Sequence, residues 1–466
     1  MTRCRFGTDW LFGMTTVNSA GVQALPLAPK NPLPYRQQMQ AARTYHTGLE
    51  TLRDAGGPVT RLVLMPRWVA PPLVMVTSPQ GAHDVLTSDD VDRTAVHDEI
   101  RHVLGPNLFD LPNAPWLPRR RTLQPLFTKH HVRGWGGYMV QAAETVAAGW
   151  REGVAIDLDA ECRRLTLRAL GRAVLGADFD EQATSVAEPL LVALSYAMDR
   201  ALAPVRAPRW LPTPARNRAQ AASATLHTLA GEILAACRAD PAREAPLVRA
   251  LMEATDPDTG RALTDSEICD ELIIFILAGH DTTATTLAYS LWSLGNHHEV
   301  QSRVADEVAA LGARELGHDD VTRLPYTVQV LNESLRLCPP GAMTTRIAKR
   351  DIAVDGYRVE EGSLIGVGIY ALHRDPALWE RALEFDPDRF APENSAGRDR
   401  WQYLPFGGGP RKCVGDHFAM LEATLALATL VRSHEITSLT TDFPMAVPFT
   451  TVAAAPILAR AKHRAG

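Results

Sequence analysis

One stretch limits the fold more than any other. From Thr264 to about Leu294 the chain carries roughly 30 residues of helical pattern, or ~45 Å at 1.5 Å per residue, and it is apolar on nearly every face. A helix that is apolar all round has to be buried, so the rest of the chain must wrap around it. Thr264 and Glu267 mark its start as a reciprocal capping box. Its middle reads "AGHDTT", residues 278–283, with a glycine, an acid and two hydroxyls where packing favours aliphatics. Burying such groups unpaired costs several kcal/mol. They are satisfied structurally, or they are there for chemistry.

A second stretch, "LPFGGGPRKCVGDHF" from Leu404 to Phe418, sets one cysteine behind glycines, a proline and two basic residues, ahead of an apolar helical pattern. Three readings stand open. The first is a glycine turn with Cys413 as a small buried filler. The second is a phosphate cradle, but Lys412 is followed by Cys413 where that motif requires Ser or Thr. The third is a thiolate metal ligand. A helix N-terminus, amides brought close by Gly409 and Gly415, and the charges of Arg411 and Lys412 would together depress the thiol pKa. A single thiolate does not suit structural zinc, which takes four ligands. It does suit an axial ligand to haem iron.

Phe406-x-x-Gly409-x-Arg411-x-Cys413-x-Gly415 resembles the haem-binding signature of the cytochrome P450 superfamily, and three further segments agree in order and spacing. Glu333-x-x-Arg336 resembles the family's K-helix pair. Phe385-x-Pro387-x-Arg389-Phe390 resembles the segment whose arginine joins that pair. Ala278 to Thr283 resembles the oxygen-activating bend of the long I helix. The resemblance implies a mainly α, single-domain cytochrome P450 fold with small β-sheets and the long helix lying over the haem.

It also implies the site. Cys413 would be the axial thiolate of heme b and the sole metal ligand, with Phe406, Gly407, Gly415, Ala278 and Gly279 around the ring. Trp116-x-x-x-Arg120 resembles the C helix, so Trp116 and Arg120, with Arg346 and Arg411, would meet the propionates. Arginine suits carboxylates because its donors form a planar fork. Arg119 and Arg121 are expected on a solvated basic face. Glu333, Arg336 and Arg389 would form a structural triad that locks the cysteine loop. Asp281 and Thr282 would be the catalytic pair that delivers protons to oxygen. The rival reading is that the Thr282 hydroxyl bonds the carbonyl four residues back and bends the helix. Phe275, Ala342, Met343 and Phe449 would line the substrate pocket, together with segments 93–113, 190–212, 340–344 and 448–451. Those segments carry few charges, which points to a lipid, fatty-acid, terpenoid or sterol-like substrate.

Composition narrows the partners. The 466 residues carry a net charge of -5 and are 46% hydrophobic, which speaks against nucleic acid. Cys4, Cys162, Cys237, Cys269, Cys338 and Cys413 are scattered without a Cys-x-x-Cys pair. That speaks against a disulfide framework or zinc cluster and fits a reducing cytoplasm. No signal peptide is legible, Met14 is a second candidate start, and the longest uninterrupted apolar run, Leu272 to Gly279, is short for a transmembrane anchor. Residues 1–30 read as an N-terminal extension, disordered by expectation, and 31–466 as one domain. "TRLVLMPRWVAPPLVMVTS" reads as a hairpin, Gln37 to Asp54 as a helix, and Asp355-Gly356 as a tight hairpin turn.

Lys129, Lys412 and the arginines near Arg120 would face an acidic electron donor. No flavin or iron–sulfur segment follows Cys413, so a separate ferredoxin and ferredoxin reductase are expected. The function that follows is insertion of one atom of O2 into an apolar substrate. The rivals are a haem-binding sensor without turnover and a peroxide-driven haem enzyme. The Asp281-Thr282 pair argues against the first. The lack of an arginine beside Thr282 argues against the second.

Overall fold

A computed structural model describes residues 19–66, 71–176, 183–203 and 205–464. The candidate start at Met14, part of the first hairpin connection and position 204 of the expected pocket segment lie outside the described residues. Helices dominate. Those that build the site are α1 (Ala95–Leu104), α2 (Asn113–Leu123), α3 (Gly136–Ala147), α4 (Leu158–Leu170), α5 (Ala183–Leu202), α6 (Pro214–Ala239), α7 (Asp265–Asn296), α8 (Pro325–Leu337) and α9 (Asp416–Ser433).

The 32-residue α7 is the long apolar helix, and it runs unbroken. The capping box forms as expected, with Glu267 N–H donating to Thr264 Oγ1 at 3.3 Å and Thr264 N–H to Glu267 Oε2 at 2.9 Å. By length and composition α7 matches a membrane span, longer than the short run counted from sequence. Its apolar window is nonetheless 78% buried inside the protein. It packs against α4, α6, α8 and α9, which cover its apolar faces.

Five strands form one sheet in the order β1 (Val59–Leu62), β2 (Leu73–Val76), β8 (Leu364–Val367), β5 (Thr344–Ala348) and β3 (Val91–Asp92). The β1–β2 hairpin is antiparallel, Val59 facing Val76, as the sequence suggests. β2 and β8 run parallel, which requires the long crossover between them. β6 (Ile352–Val354) and β7 (Tyr357–Val359) meet at the Asp355-Gly356 turn, where φ is 48° and 79°. Positive φ at both positions is the two-residue turn that Asp-Gly favours. A further sheet sets β4 (Ala155–Asp157) and β9 (His434–Ser438) on either side of β12 (Leu458–His463), and β10 (Met445–Ala446) pairs with β11 (Val452–Ala453).

Two boundaries differ from expectation. The helix expected over Gln37 to Asp54 is two helices, Tyr35–Arg43 and Tyr45–Gly56, broken at Thr44. The Thr44 hydroxyl bonds the Gln40 carbonyl at 3.2 Å, the local competition that makes threonine a poor helix interior. Within the N-terminal extension, Leu27 bridges to Arg358, Lys30 bridges to Arg61, and Val22 and Ala28 are buried.

Candidate active site

The cysteine loop is shaped by its glycines. Gly407 and Gly409 have φ of 70° and 68°. A Cβ at Gly409 would stand 2.0 Å from the Leu86 carbonyl, so only glycine lets the loop pass the end of the Pro79–Thr87 helix. Cys413 N–H donates to the Phe406 carbonyl at 2.9 Å, which closes the loop directly before α9. Cys413 is exposed by accessible area, yet protein surrounds it closely enough that burial pushes its thiol up. The Gly415 N–H and the charges of Arg120 and Lys412 act the other way and do not offset burial. The Gly415 amide and the two basic side chains favour the thiolate, as the composition of the loop suggests.

Part of α7 is accessible as well. Ala278 is exposed and Gly279 and Thr282 are partly so, although the helix is buried on both sides of them. A mid-core helix turn and a loop cysteine, both accessible, fit a flat group held between them.

A cluster of guanidiniums supplies the second test of fit. Arg346 and Arg411 are each pushed down to about 10 by burial, Arg411 also by the charge of Arg346, while Asp92 pulls both the other way. Arg93 is lowered further by burial, Arg346 and Arg411. Its Nε is buried without a hydrogen-bond partner. Asp92 reaches Arg411 only at 4.0 Å, and burial raises Asp110 to about 8, so it offers little negative charge. Such a cluster calls for anions, and haem propionates supply them. Arg93 and His97 were not singled out from sequence. His97 Nε2 lies 3.2 Å from Arg93 Nη1, and burial with Arg93's charge holds the imidazole well below its usual range, hence neutral. No motif marks Arg93; only the tertiary approach of β3, β5 and the cysteine loop does.

Trp116 is buried, and Arg411 stacks over its ring at 4.2 Å. Arg411 also donates to the Leu111 carbonyl at 2.8 Å and to Asn113 Oδ1 at 2.7 Å. Arg346 donates to Thr344 Oγ1 at 3.0 Å. Arg120 donates to Gln124 at 3.2 Å, and burial lowers its pKa while the neighbouring Cys413 and Asp416 act the other way. Arg119 is not on a solvated face. It is buried and ion-paired with Glu267 at 2.6 Å and Glu271 at 2.7 Å, bracing α2 against α7. The reason is the capping turn of α7, which sets two acids one turn apart opposite α2. Arg121 does remain largely exposed, paired with Asp258.

Glu333 and Arg336 are wholly buried and bonded twice, Nε to Oε2 and Nη2 to Oε1, both at 2.7 Å. Arg336 also donates to the carbonyls of His373 and Ala382 at 2.8 and 2.6 Å. Arg389 joins as an ion pair 3.3 Å from Glu333, outside hydrogen-bond geometry, while Asp386 N–H donates to the same oxygen at 2.9 Å. A buried pair is tolerable when its remaining donors and acceptors are met, as here. His373 Nε2 then accepts the Leu404 N–H at 2.7 Å, which carries the triad into the cysteine loop.

On α7 the Thr282 hydroxyl donates to the Ala278 carbonyl at 2.8 Å. That is the bond of the structural reading, and it leaves the oxygen free to accept. Asp281 is bound by Arg163 of α4, with His280 Nδ1 at 3.4 Å and Thr450 Oγ1 at 3.4 Å. Burial pushes its carboxyl up, but the His280 contact and the Arg163 charge outweigh it and hold Asp281 below the usual range. Asp281 is thus an ionised carboxylate rather than a stored acid. Glu422 of α9 is the acid that sequence reasoning passed over. It is wholly buried, neither oxygen has a hydrogen-bond partner, and burial raises it well above the carboxylate range, so it is protonated. Thr283 of α7, whose hydroxyl is also unpartnered, acts on it weakly in the opposite direction. A lone glutamate inside the apolar run "AMLEATLAL" was its only signal.

Of the expected pocket residues, Phe449 packs on Phe109 with ring centroids 5.8 Å apart, joining the C-terminal hairpin to the segment before α2. Met343 is partly exposed. Phe275 packs edge-on against Phe127 at 5.1 Å, and Ala342 is buried in a small cluster with Met75 and Tyr370. Those two serve the core rather than an open lining.

Loop, long helix and guanidinium cluster together define a haem-thiolate protein. The model of the family "Cytochrome P450" matches residues 27–458, and the chain belongs to that family. Its haem is bound through the thiolate of Cys413, and it is a cytochrome P450 monooxygenase. The chain is 34% identical over 381 residues to cyclooctatin synthase of Streptomyces melanosporofaciens, covering 81% of this chain and 82% of that one. It is 31% identical over 362 residues to pentalenene oxygenase of Streptomyces avermitilis, covering 77% and 80%. The heme domain of cytochrome P450DA superposes with a TM-score of 0.83 at 26% identity, covering 95% of this chain and 98% of that one.

Proposed function

We propose that this enzyme oxygenates a cyclic terpenoid hydrocarbon or its alcohol in the cytoplasm, drawing electrons from a separate ferredoxin and ferredoxin reductase. The observation that carries the substrate class is similarity over about four fifths of each chain to two Streptomyces proteins named cyclooctatin synthase and pentalenene oxygenase. The apolar contacts of Phe109 and Phe449 support it, because such a substrate offers almost no polar handle.

In this reading the haem supplies the oxygen-activating chemistry. The chain does the rest. Arg93, Arg346 and Arg411, with Trp116 and Arg120 beside them, hold the propionates. Phe406, Gly407 and Gly415 shape the thiolate side, while Ala278 and Gly279 offer a flat surface opposite. Thr282, its proton directed at the Ala278 carbonyl, accepts a hydrogen bond at the oxygen-binding side and orders water there. Asp281 exchanges protons between that water and the Arg163 side of α7. Lys129, Arg120 and Lys412 present positive charge to the electron donor.

The test is a panel of cyclic terpene hydrocarbons, fatty acids and sterols titrated into the holoenzyme and then turned over under labelled O2. A terpene should shift the Soret band and acquire one labelled oxygen atom. Shifts and products confined to fatty acids or sterols would overturn the substrate class.

A further inference from the structure

Ser223 and His227 stand one turn apart on α6, and Asp270 of α7 lies opposite them. His227 Nε2 is 3.1 Å from Asp270 Oδ1, and its Nδ1 is 2.8 Å from the Ser223 carbonyl. The Ser223 hydroxyl donates at 2.6 Å to the Val103 carbonyl, in the last turn of α1, and sits 3.4 Å from His227 Nδ1. α1 ends at Gly105, whose φ is 84°. A Cβ there would stand 2.2 Å from Asp270 Oδ1, so the end of α1 rests directly on that carboxylate. Three helices meet at one half-buried histidine.

Serine, histidine and aspartate so close together raise the question of a nucleophilic triad, and the hydrogen bonds decide against one. A triad histidine turns a lone pair to the serine hydroxyl. Here Nδ1 faces a carbonyl, which only accepts, and Nε2 faces a carboxylate. Both nitrogens therefore carry protons and the ring is an imidazolium. The bond to Asp270 raises its pKa above 6.5, burial opposes that, and the Ser223 carbonyl and the Asp270 charge add to the rise.

Among the described residues, Asp270 is the charge that acts on the ring. The other titratable groups on the elements packed around it are engaged elsewhere or face solvent. On α7, Glu271 pairs with Arg119, Asp265 pairs with Arg238, and burial keeps the Cys269 thiol neutral. On α1, Asp98 pairs with Arg101 and Glu99 with Arg200 of α5, while His102 is lowered by burial and Arg209. Asp199 of α5 lines an open groove, and Glu188 of α5 and Glu232 of α6 are exposed. On the helix Pro246–Glu253, Arg249 donates to the carbonyls of Arg243 and Asp240, and Glu253 is exposed.

We propose that His227 is a proton-operated latch: protonated, it ties α6 to Asp270 under the end of α1 and leaves the Ser223 hydroxyl to Val103; deprotonated, it takes that hydroxyl for itself and frees the end of α1. Loss of the Nδ1 proton sets a lone pair against the Ser223 carbonyl. The Ser223 proton then turns to Nδ1, and the Val103 carbonyl loses its donor. A group whose pKa is raised on folding stabilises fully below its unfolded value of about 6.5, and that stability is lost as pH rises through the folded value. Phe109, just beyond Gly105, packs on Phe449, so the freed end of α1 loosens one wall of the expected pocket. The latch does not depend on the substrate class.

The test is hydrogen–deuterium exchange of the full-length holoenzyme at about pH 6 and about pH 8.5, corrected for intrinsic rates, with the Soret band confirming bound haem. Opening of peptides 95–105 and 215–230 should rise about tenfold at the higher pH, while peptides of α9 stay unchanged. His227→Gln, which does not titrate, should open alike at both. Ser223→Ala should open fast at 95–105 at both, since Val103 lacks its donor whatever the charge on His227. Wild type without a pH difference in these peptides, or His227→Gln that keeps one, would overturn the latch. Ser223→Ala that keeps the wild-type difference at 95–105 would overturn the hydroxyl transfer on which it turns.

Discussion

His373 Nε2 accepts the Leu404 N–H at 2.7 Å while the His373 carbonyl accepts from Arg336 at 2.8 Å. One residue thus ties the buried pair on α8 to the start of the cysteine loop. Burial and the Arg336 charge hold the ring at about 3, so it stays a neutral acceptor at ordinary pH. A histidine depressed on folding stabilises above its unfolded pKa of about 6.5, and that stability is lost as pH falls toward the folded value. His373→Leu should cost about 1–3 kcal/mol at pH 7, from the orphaned Leu404 N–H. Its deficit relative to wild type should shrink as pH drops from about 6.5. Denaturant melts across that range measure both, and a constant deficit would refute the linkage.

Glu333→Gln keeps the shape of the triad and removes its charge. Arg336 is then buried with carbonyl acceptors but no counter-ion, which should cost about 3–5 kcal/mol. Reduced haem retention and a lowered melting temperature are expected. A variant that melts like wild type would show that the carbonyls alone satisfy Arg336.

Glu422 makes a prediction of the opposite pH sense. Its carboxyl is raised on folding, so its contribution is fully present below the unfolded pKa and is lost as pH rises toward the folded one. Glu422→Gln, neutral at every pH, should gain stability over wild type progressively above about pH 4.3. Unfolding free energies at pH 5 and pH 8 measure the gap. An equal gap at both would mean that Glu422 is ionised in the folded protein.

Thr282→Ala separates bending from proton handling. It removes the bond to the Ala278 carbonyl and the acceptor oxygen together, with good helix propensity retained. Substrate affinity should hold, reductant consumption should continue, and product per reductant should fall while hydrogen peroxide rises. Asp281→Asn should instead slow oxygen consumption. Equal product yield per reductant in wild type and Thr282→Ala would leave the hydroxyl a purely structural role.

Cys413→His should abolish the long-wavelength Soret band of the reduced carbon monoxide complex. A wild-type spectrum of the imidazole type would overturn the thiolate assignment.

What the sequence determined rests on local pattern. The extent and burial of α7, its capping box, the Asp355-Gly356 turn and the Glu333–Arg336 pair follow from periodicity and spacing within a few residues, and all appear where expected. Cys413 was legible for the same reason, since its loop and the helix behind it are contiguous. Tertiary structure decided what depends on distant segments meeting. Arg119 became a buried brace because α7 brings two acids to α2, and Arg93 joined Arg346 and Arg411 because a short strand, a sheet and the cysteine loop converge. Protonation was decided there too. Asp281 is ionised beside Arg163 whereas Glu422 is protonated in an apolar core, although both are plain carboxylic acids in the sequence. Desolvation and neighbouring charge set that difference, and both are properties of the packed interior rather than of the chain order.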